Sequence, residues 1–363
     1  MAPARTAITI QSPHSSASPS PQSGRTACSL RIAPASTRLS VVIVNFCQWK
    51  NTLRLTRQLR RAESATLGSA EVVIVDNHSP GHRAIGELRR SVGISLRRFG
   101  RNRGFARGVN EGVRLSRGSW ILLLNPDMSV SKEFLDRALE RADRLDITDP
   151  KTGIVGFGLR HSDGSRQASC GPIPTLWNTL AGLFVPRSRR KCRLSDSLDP
   201  GEVAWATGCC LLIRREVLEE LGGFSQAFFL YYEDVDFCLR ARRNGWKVLF
   251  DPTLELVHHT PLHRRRVHPA MRLITRHALL TFACAHWRRS HALGLAGVMW
   301  VESWVRQFAS LFSARTDEAR THASLRRMLV EVVGGRERAI RQRIREAAAM
   351  LGSASAAQDG RTT

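Results

Sequence analysis

A few short stretches of this sequence carry residue types that chemistry uses. Asp127 follows the apolar run Trp120-Ile-Leu-Leu-Leu124 through Asn125-Pro126, and Asp76 closes Glu71-Val-Val-Ile-Val. Glu233-Asp234-Val-Asp236 is the densest acidic cluster and comes straight after the aromatic run Phe228-Phe-Leu-Tyr-Tyr232. His258-His259 ends Leu254-Glu-Leu-Val257, and Gly100-Arg-Asn-Arg-Gly104 sets glycines and cations ahead of a helix. Such a set could hold a divalent cation on carboxylate and imidazole. It could also neutralise a phosphate-bearing leaving group and take a proton from a hydroxyl. Each stretch has a plainer reading as well. Asp127 and Asp76 could serve turns, the acidic cluster could face the dipole of the following helix, and either histidine could be a surface residue. The glycine loop suits a diphosphate at a helix N-terminus. It is not the G-x-G-x-x-G fingerprint, so a nicotinamide-binding reading lacks its main support.

The elements that would position these residues follow from the hydrophobic pattern. Leu39 to Asn45, Glu71 to Asp76, Ile94 to Phe99 and Ser119 to Leu124 read as short buried strands. Helical spacing separates them, over about Trp49 to Ala62, Arg83 to Ser91 and Phe105 to Arg117. Ser131 reads as the N-cap of a further helix whose buried stripe is Phe134, Leu135 and Leu139. This alternation predicts a parallel sheet covered on both faces, with ligands beyond the carboxyl ends of its strands. Asn45, Asp76 and Asp127 all fall on that rim. Further on, a hairpin is expected around Asp163-Gly164, a long loop from Pro172 to Pro200, a return of order over Ala206 to Ile213 and a helix from Arg214 to Leu221.

With 363 residues, 42% of them hydrophobic and 24% charged, the chain can bury a sizeable core. The formal charge of +24 favours phosphorylated substrates or anionic lipid. Zinc-finger spacing, an aromatic RNP-like strand and basic-zipper heptads are missing from the sequence, so nucleic acid is not an expected partner. Of the eight cysteines, Cys47, Cys209, Cys210 and Cys238 lie in apolar stretches and read as buried thiols of a reducing compartment. Residues 1–38 carry no acid and no long apolar run, and are expected to be disordered. No uninterrupted apolar run of about 18 residues occurs. The nearest approach, Ala292 to Phe312, is broken by Glu302 and Arg306 and reads as an amphipathic helix that packs on the main domain or lies on a membrane.

Taken in order, the segments resemble the family-2 glycosyltransferases of GT-A fold, in particular their bacterial rhamnosyltransferase-like branch. The resemblance rests on Ser40-Val-Val-Ile-Val-Asn45, Val72-Val-Ile-Val-Asp-Asn77, Asn102-Arg-Gly-Phe-Ala106 with Asn110, and Leu122-Leu-Leu-Asn-Pro-Asp127. It continues through Thr207-Gly208, Leu211-Leu-Ile-Arg-Arg215, Gly222-Gly-Phe224, Phe229-Leu-Tyr-Tyr-Glu-Asp-Val-Asp236 and Val257-His-His259. The sequence departs from relatives at Thr260-Pro261, where many have Gly-Gly, and at Arg107, where a small residue is common.

The resemblance implies an α/β, GT-A domain over 39–262 with a mostly parallel central sheet flanked by helices. Its nucleotide-sugar half spans about 39–130 and its acceptor half about 150–262. A basic helical region, 263–350, and a disordered tail, 351–363, would follow. Asp76 would meet the donor's base or ribose, with Asn45, Asn77, Asn102, Gly104 and Asn110 lining the nucleotide pocket. Asp127 and His258 would hold Mg2+ or Mn2+, and Asp234 would deprotonate the acceptor hydroxyl. Trp205, Thr207, Gly208 and Glu233 would face the acceptor. The implied reaction is inverting transfer of a sugar from dTDP-rhamnose or a UDP-sugar to a polysaccharide or lipid-linked glycan, as in cell-wall or polysaccharide assembly. The implied place is the cytoplasm, or the inner face of the cell membrane as a peripheral protein. Galactofuranosyl or hexosaminyl transfer, or a non-catalytic polyanion- or lipid-binding role, are the competing expectations.

Overall fold

Aliphatic runs that alternate faces at period two build the middle of the sheet. The computed structural model describes residues 36–182, 192, 199–259, 268–311 and 316–359. Its first half runs β1 (Leu39–Asn45), α1 (Trp49–Leu59), α2 (Glu63–Thr66), β2 (Ala70–Asp76), α3 (Ala84–Arg90), β3 (Ile94–Arg98), α4 (Phe105–Leu115) and β4 (Trp120–Leu124). Then come β5 (Met128–Ser129), α5 (Phe134–Thr148), β6 (Thr152–Arg160), β7 (Arg166–Gln167), β8 (Cys170–Gly171) and α6 (Leu176–Ala181). The second half holds β9 (Gly201–Glu202), β10 (Trp205–Ala206), β11 (Cys210–Arg214), α7 (Arg215–Glu220), α8 (Glu233–Arg243) and β12 (Lys247–His258). Four long helices follow: α9 (Pro269–His286), α10 (Arg289–Leu311), α11 (Thr316–Val333) and α12 (Glu337–Asp359).

The main sheet is ordered β3-β2-β1-β4-β11-β6-β12-β5. Pairing is parallel from β3 through β4 and again between β6 and β12. Strand β11 lies antiparallel between β4 and β6. The chain turns directly into it at Thr207–Cys210, without the helical crossover that a parallel entry requires. The expected α/β architecture, a mostly parallel sheet with flanking helices and a helical carboxyl-terminal extension, is therefore present, with this reversal inside it. Along β1, Val41 and Ile43 join the core under α1, α3 and α5, while Val42 and Val44 join the core under α4, α7 and α8. A third core, built from α9 to α12, packs on Phe229, Leu230, Tyr231 and Tyr232.

Several boundaries differ from the sequence reading. The helix after β5 starts at Phe134 with Glu133 as N-cap and no side-chain cap bond, so Ser131 does not cap it. Within the expected loop after Pro172, Thr175 caps the short α6 through a reciprocal bond with Asn178. Arg38, placed in the disordered extension by sequence, pairs with Asp143 at 2.6 Å. The tail expected to be disordered from 351 continues α12 as far as Asp359. Residues 1–35, Thr260-Pro261 and much of 183–198 lie outside the described residues.

Candidate functional site

The carboxyl ends of β1, β2 and β4 meet the loop before β11, the start of α8 and the end of β12. On the donor side, Asn45 and Asp76 sit at paired positions of neighbouring parallel strands and are both fully buried. Asn45 donates to Asp76 at 2.8 Å and to Ser79 Oγ at 3.1 Å, and accepts from Thr52 at 2.9 Å. Asp76 also accepts from Ser79 N and pairs with Arg98 Nε at 2.9 Å. Both residues were expected on the nucleotide side, and in the fold each already has partners. Their polar atoms are consumed within the fold, because a buried carboxylate must be paired. Arg98 is the partner that solvent reaches, with 32% of its side chain exposed against 0% for Asp76.

The glycine loop is shaped by two asparagines. Asn77 Oδ1 accepts from Arg103 N at 2.7 Å, and Asn102 Oδ1 from Gly104 N at 2.9 Å. Gly104 has φ of 88°, and a Cβ there would stand 2.7 Å from Phe229 O. Only glycine meets both demands. The loop is thus stapled to the aromatic run that leads to Asp234, through Phe105 N donating to Phe229 O at 2.7 Å. Asn110, expected in the nucleotide pocket, has a structural task here. Its amide grips the Phe224 backbone on both sides, donating at 2.8 Å and accepting at 2.9 Å. Arg107 lies among cations, and its pKa is lowered first by burial and then by Arg103, Arg341, Arg345 and Arg101. Two of these come from α12, so the carboxyl-terminal helices add charge beside the donor-side loop.

Across the rim, Asp127 and His258 are both buried, with His258 Nε2 3.5 Å from Asp127 Oδ1. Strand pairing sets this approach, since His258 is registered against Met128 and His259 N donates to Asp127 O at 3.0 Å. Two ligands about 2.1 Å from one octahedral cation stand about 3 Å apart, so the pair fits one edge of a divalent site. No group of three or more His, Cys, Asp or Glu able to hold a metal occurs among the described residues. A pair of this kind suits a hard cation that takes its remaining ligands from phosphate oxygens and water. The Gln167 amide lies 2.9 Å from His258 Nδ1 and anchors the ring. An amide serves either tautomer, its NH2 donating to bare Nδ1 or its oxygen accepting from Nδ1–H. The second arrangement leaves the Nε2 lone pair facing a cation beside Asp127.

Asp234 is 4% exposed, and its carboxylate accepts from Gly208 N at 3.0 Å and Val235 N at 2.9 Å. Gly208 brings the β10–β11 turn close, because a Cβ on it would stand 3.2 Å from that of Asp234. Just before α8, Tyr231 and Tyr232 both hold positive φ, 72° and 65°. That conformation costs a side-chain-bearing residue about 1–2 kcal/mol. Packing against the carboxyl-terminal core retains them there. Cys209 lies between the two halves of the site. Burial pushes its thiol pKa up to about 12, and the charges of Asp127 and Asp234 push the same way. Its backbone links the segments of the two carboxylates, since Cys209 O accepts from Asn125 N at 2.9 Å and the adjacent Gly208 N donates to Asp234 at 3.0 Å.

The acceptor-side expectations fare unevenly. Trp205 is fully buried in the core and donates its indole N–H to Pro172 O at 2.9 Å. It supports the β8–β10 pairing and does not face an acceptor. Thr207 is half-exposed, with Oγ1 3.2 Å from Cys209 Sγ, while Gly208 and Glu233 are buried beside Asp234. Asp236, third acid of the cluster, pairs with Arg240 at 2.8 Å and His286 at 2.8 Å and ties α8 to α9. Sequence reasoning missed Ser79, Arg98 and Gln167. Ser79 and Gln167 carry no charge or motif, and Arg98 is one arginine among many.

A scan against protein families matches residues 40–222 to Glycosyl transferase family 2. The N-acetylglucosaminyl-diphospho-decaprenol L-rhamnosyltransferase of Mycobacterium tuberculosis is 30% identical over 61% of this chain and 77% of its own length. The low-salt glycan biosynthesis hexosyltransferase Agl10 of Haloferax volcanii is 28% identical over 63% of this chain and 69% of its own length. Among solved structures, a mannosyltransferase from Pyrobaculum calidifontis in complex with GDP-Man and Mn2+ aligns at 18% identity and a TM-score of 0.47, covering 90% of this chain and 82% of that one.

Proposed function

This chain belongs to glycosyl transferase family 2, and on that premise we propose that it moves a hexosyl group, rhamnose first among the candidates, from a nucleotide-diphosphate donor to a hydroxyl of a lipid-linked glycan. The observation that carries the reading is the β10–β11 turn, whose Gly208 N holds Asp234 and whose Cys209 O holds Asn125 N two residues before Asp127, with His258 beside Asp127. Donor charge and acceptor proton then have separate carboxylates on one rim. The relative named for a diphospho-decaprenol acceptor supports the lipid-linked class.

Asp127 and His258 would hold Mg2+ or Mn2+, which when bound offsets the negative charge of the leaving diphosphate. Gln167 keeps the His258 ring turned toward Asp127. The loop 100–104 sets Arg101 and Arg103 ahead of the start of α4, where phosphate oxygens are stabilised. Asp234 takes the proton of the incoming hydroxyl as it attacks the anomeric carbon. Gly208 N and Val235 N keep its carboxylate oriented. A single displacement of this kind inverts the anomeric configuration.

The test is release of nucleotide diphosphate from dTDP-rhamnose, UDP-galactofuranose and UDP-N-acetylglucosamine with a lipid-linked acceptor, with and without EDTA. The reading expects one preferred donor, loss of turnover in EDTA and weaker donor binding in Asp127→Ala. Full turnover in EDTA, or by Asp127→Ala, would remove the assignment.

A further inference from the structure

We infer that α10 docks this protein onto an anionic bilayer surface, lying in the plane of the headgroups. Leu293, Val298, Trp300, Val301, Trp304, Val305 and Phe308 are all exposed on this one helix, Val301 at 57%, Val305 at 63% and Phe308 at 64%. At 100° per residue they fall, with Gly294 and Gly297, on a single face about half the helix wide. The opposite face is already occupied, because Ala292, Leu295, Ala296 and Met299 are buried in the core shared with α9, α11 and α12. Charge is excluded from the outward face. Glu302 lies off it and is held by Arg276 at 2.6 Å and Arg306 at 2.8 Å. Exposed Arg288 and Arg289 stand where the helix begins.

An apolar face with tryptophans and bordering arginines is the pattern of a helix that enters the headgroup boundary. No helix among the described residues is long and apolar enough to cross a membrane, so this one would lie on the surface. The choice of an anionic surface follows from charge, since the whole chain carries +24 and each arginine near such a surface adds attraction. Trp177 of the adjacent α6, 71% exposed, adds an aromatic ring on the side of the fold that carries Trp205 and the acceptor turn. The docked helix is also mechanically close to the chemistry. It packs on α9, whose Phe282 touches Tyr232 and whose His286 holds Asp236.

The experiment is flotation of the full-length chain on vesicles of phosphatidylcholine with 30% phosphatidylglycerol and on phosphatidylcholine alone, without donor or acceptor. It uses wild type, a variant with Val301→Ser, Val305→Ser and Phe308→Ser, and a variant with Arg288→Glu and Arg289→Glu. Wild type should float with the anionic vesicles and shift its tryptophan emission to the blue. The serine variant should lose at least about tenfold in partition, and the glutamate variant should lose its preference for anionic vesicles. Both sets of positions are exposed, so unchanged circular dichroism and melting accompany these outcomes. Equal flotation of the serine variant and wild type overturns the proposal. So does a wild-type dimer in light scattering that the serine substitutions split, since the face would then belong to a second copy. Neither result bears on donor turnover, which is measured separately on the strand-end site.

Discussion

Replacing Asp234 by asparagine separates proton removal from every other task of the site. The side chain keeps its volume, and its remaining oxygen can accept from Gly208 N or Val235 N, but not from both as the carboxylate does. One charge-assisted hydrogen bond is lost, which costs about 1–2 kcal/mol of stability. Loss of a general base lowers turnover by about 10^2- to 10^4-fold, or about 3–5 kcal/mol in the barrier. The donor-side groups, Asp127, His258 and the loop 100–104, are untouched. Donor affinity measured by calorimetry should therefore match wild type, while nucleotide diphosphate release with acceptor collapses. Gly208→Ala is the companion, because its new Cβ sits 3.2 Å from that of Asp234 and displaces the carboxylate by a few tenths of an ångström. It should lose severalfold in turnover with its donor affinity intact. Turnover of Asp234→Asn within about threefold of wild type would refute the assignment of the base, and so would a parallel loss of donor binding.

Other outcomes follow from the same geometry. Gln167→Ala removes the anchor of His258 Nδ1 and should weaken Mn2+ affinity by about 10- to 100-fold, read by electron paramagnetic resonance of free Mn2+ with nucleotide diphosphate present. Gly104→Ala demands positive φ from alanine and sets its Cβ 2.7 Å from Phe229 O. A loss of about 2 kcal/mol or more in urea unfolding is expected. Burial lowers the His277 pKa to about 4. Because the unfolded chain binds that proton more readily, the contribution is full above about pH 6.5 and is lost as pH falls toward 4, by about 3 kcal/mol at most. His277→Leu should flatten the acid limb of a melting-temperature profile between pH 6.5 and 4, and an unchanged limb would contradict this account.

The half before β5 was legible because β1, β2 and β4 carry long apolar runs that lead into polar residues. Runs such as Val41 to Val44 and Ile121 to Leu124 fill both faces of the sheet, which leaves Asn45, Asp76 and Asp127 at the rim as a matter of chain direction. The hairpin at Asp163-Gly164 was equally readable, with Gly164 at φ of 80°. Side-chain use within the site was not. Asn110 and Trp205 were expected to meet donor and acceptor, yet one clamps the turn at Phe224 and the other fills the core. An amide or an indole carries no mark in sequence of the face its helix or strand will present. Asp234 and Asp236 sit two residues apart in one acidic cluster and take different tasks. Only three-dimensional pairing separates the carboxylate that bonds a turn from the one that bonds Arg240 and His286.

Cys209 turns the strand-end rim into its own recorder. With its pKa near 12 and its sulfur enclosed, the thiol stays protonated and slow toward alkylating reagents. Iodoacetamide reaches it when the rim between β11 and α8 parts, whereas exposed Cys284 marks the background rate on the same molecule. The ratio of the two labels in a mass spectrum would clock how often the centre breathes, and how far a nucleotide or a bilayer quiets it.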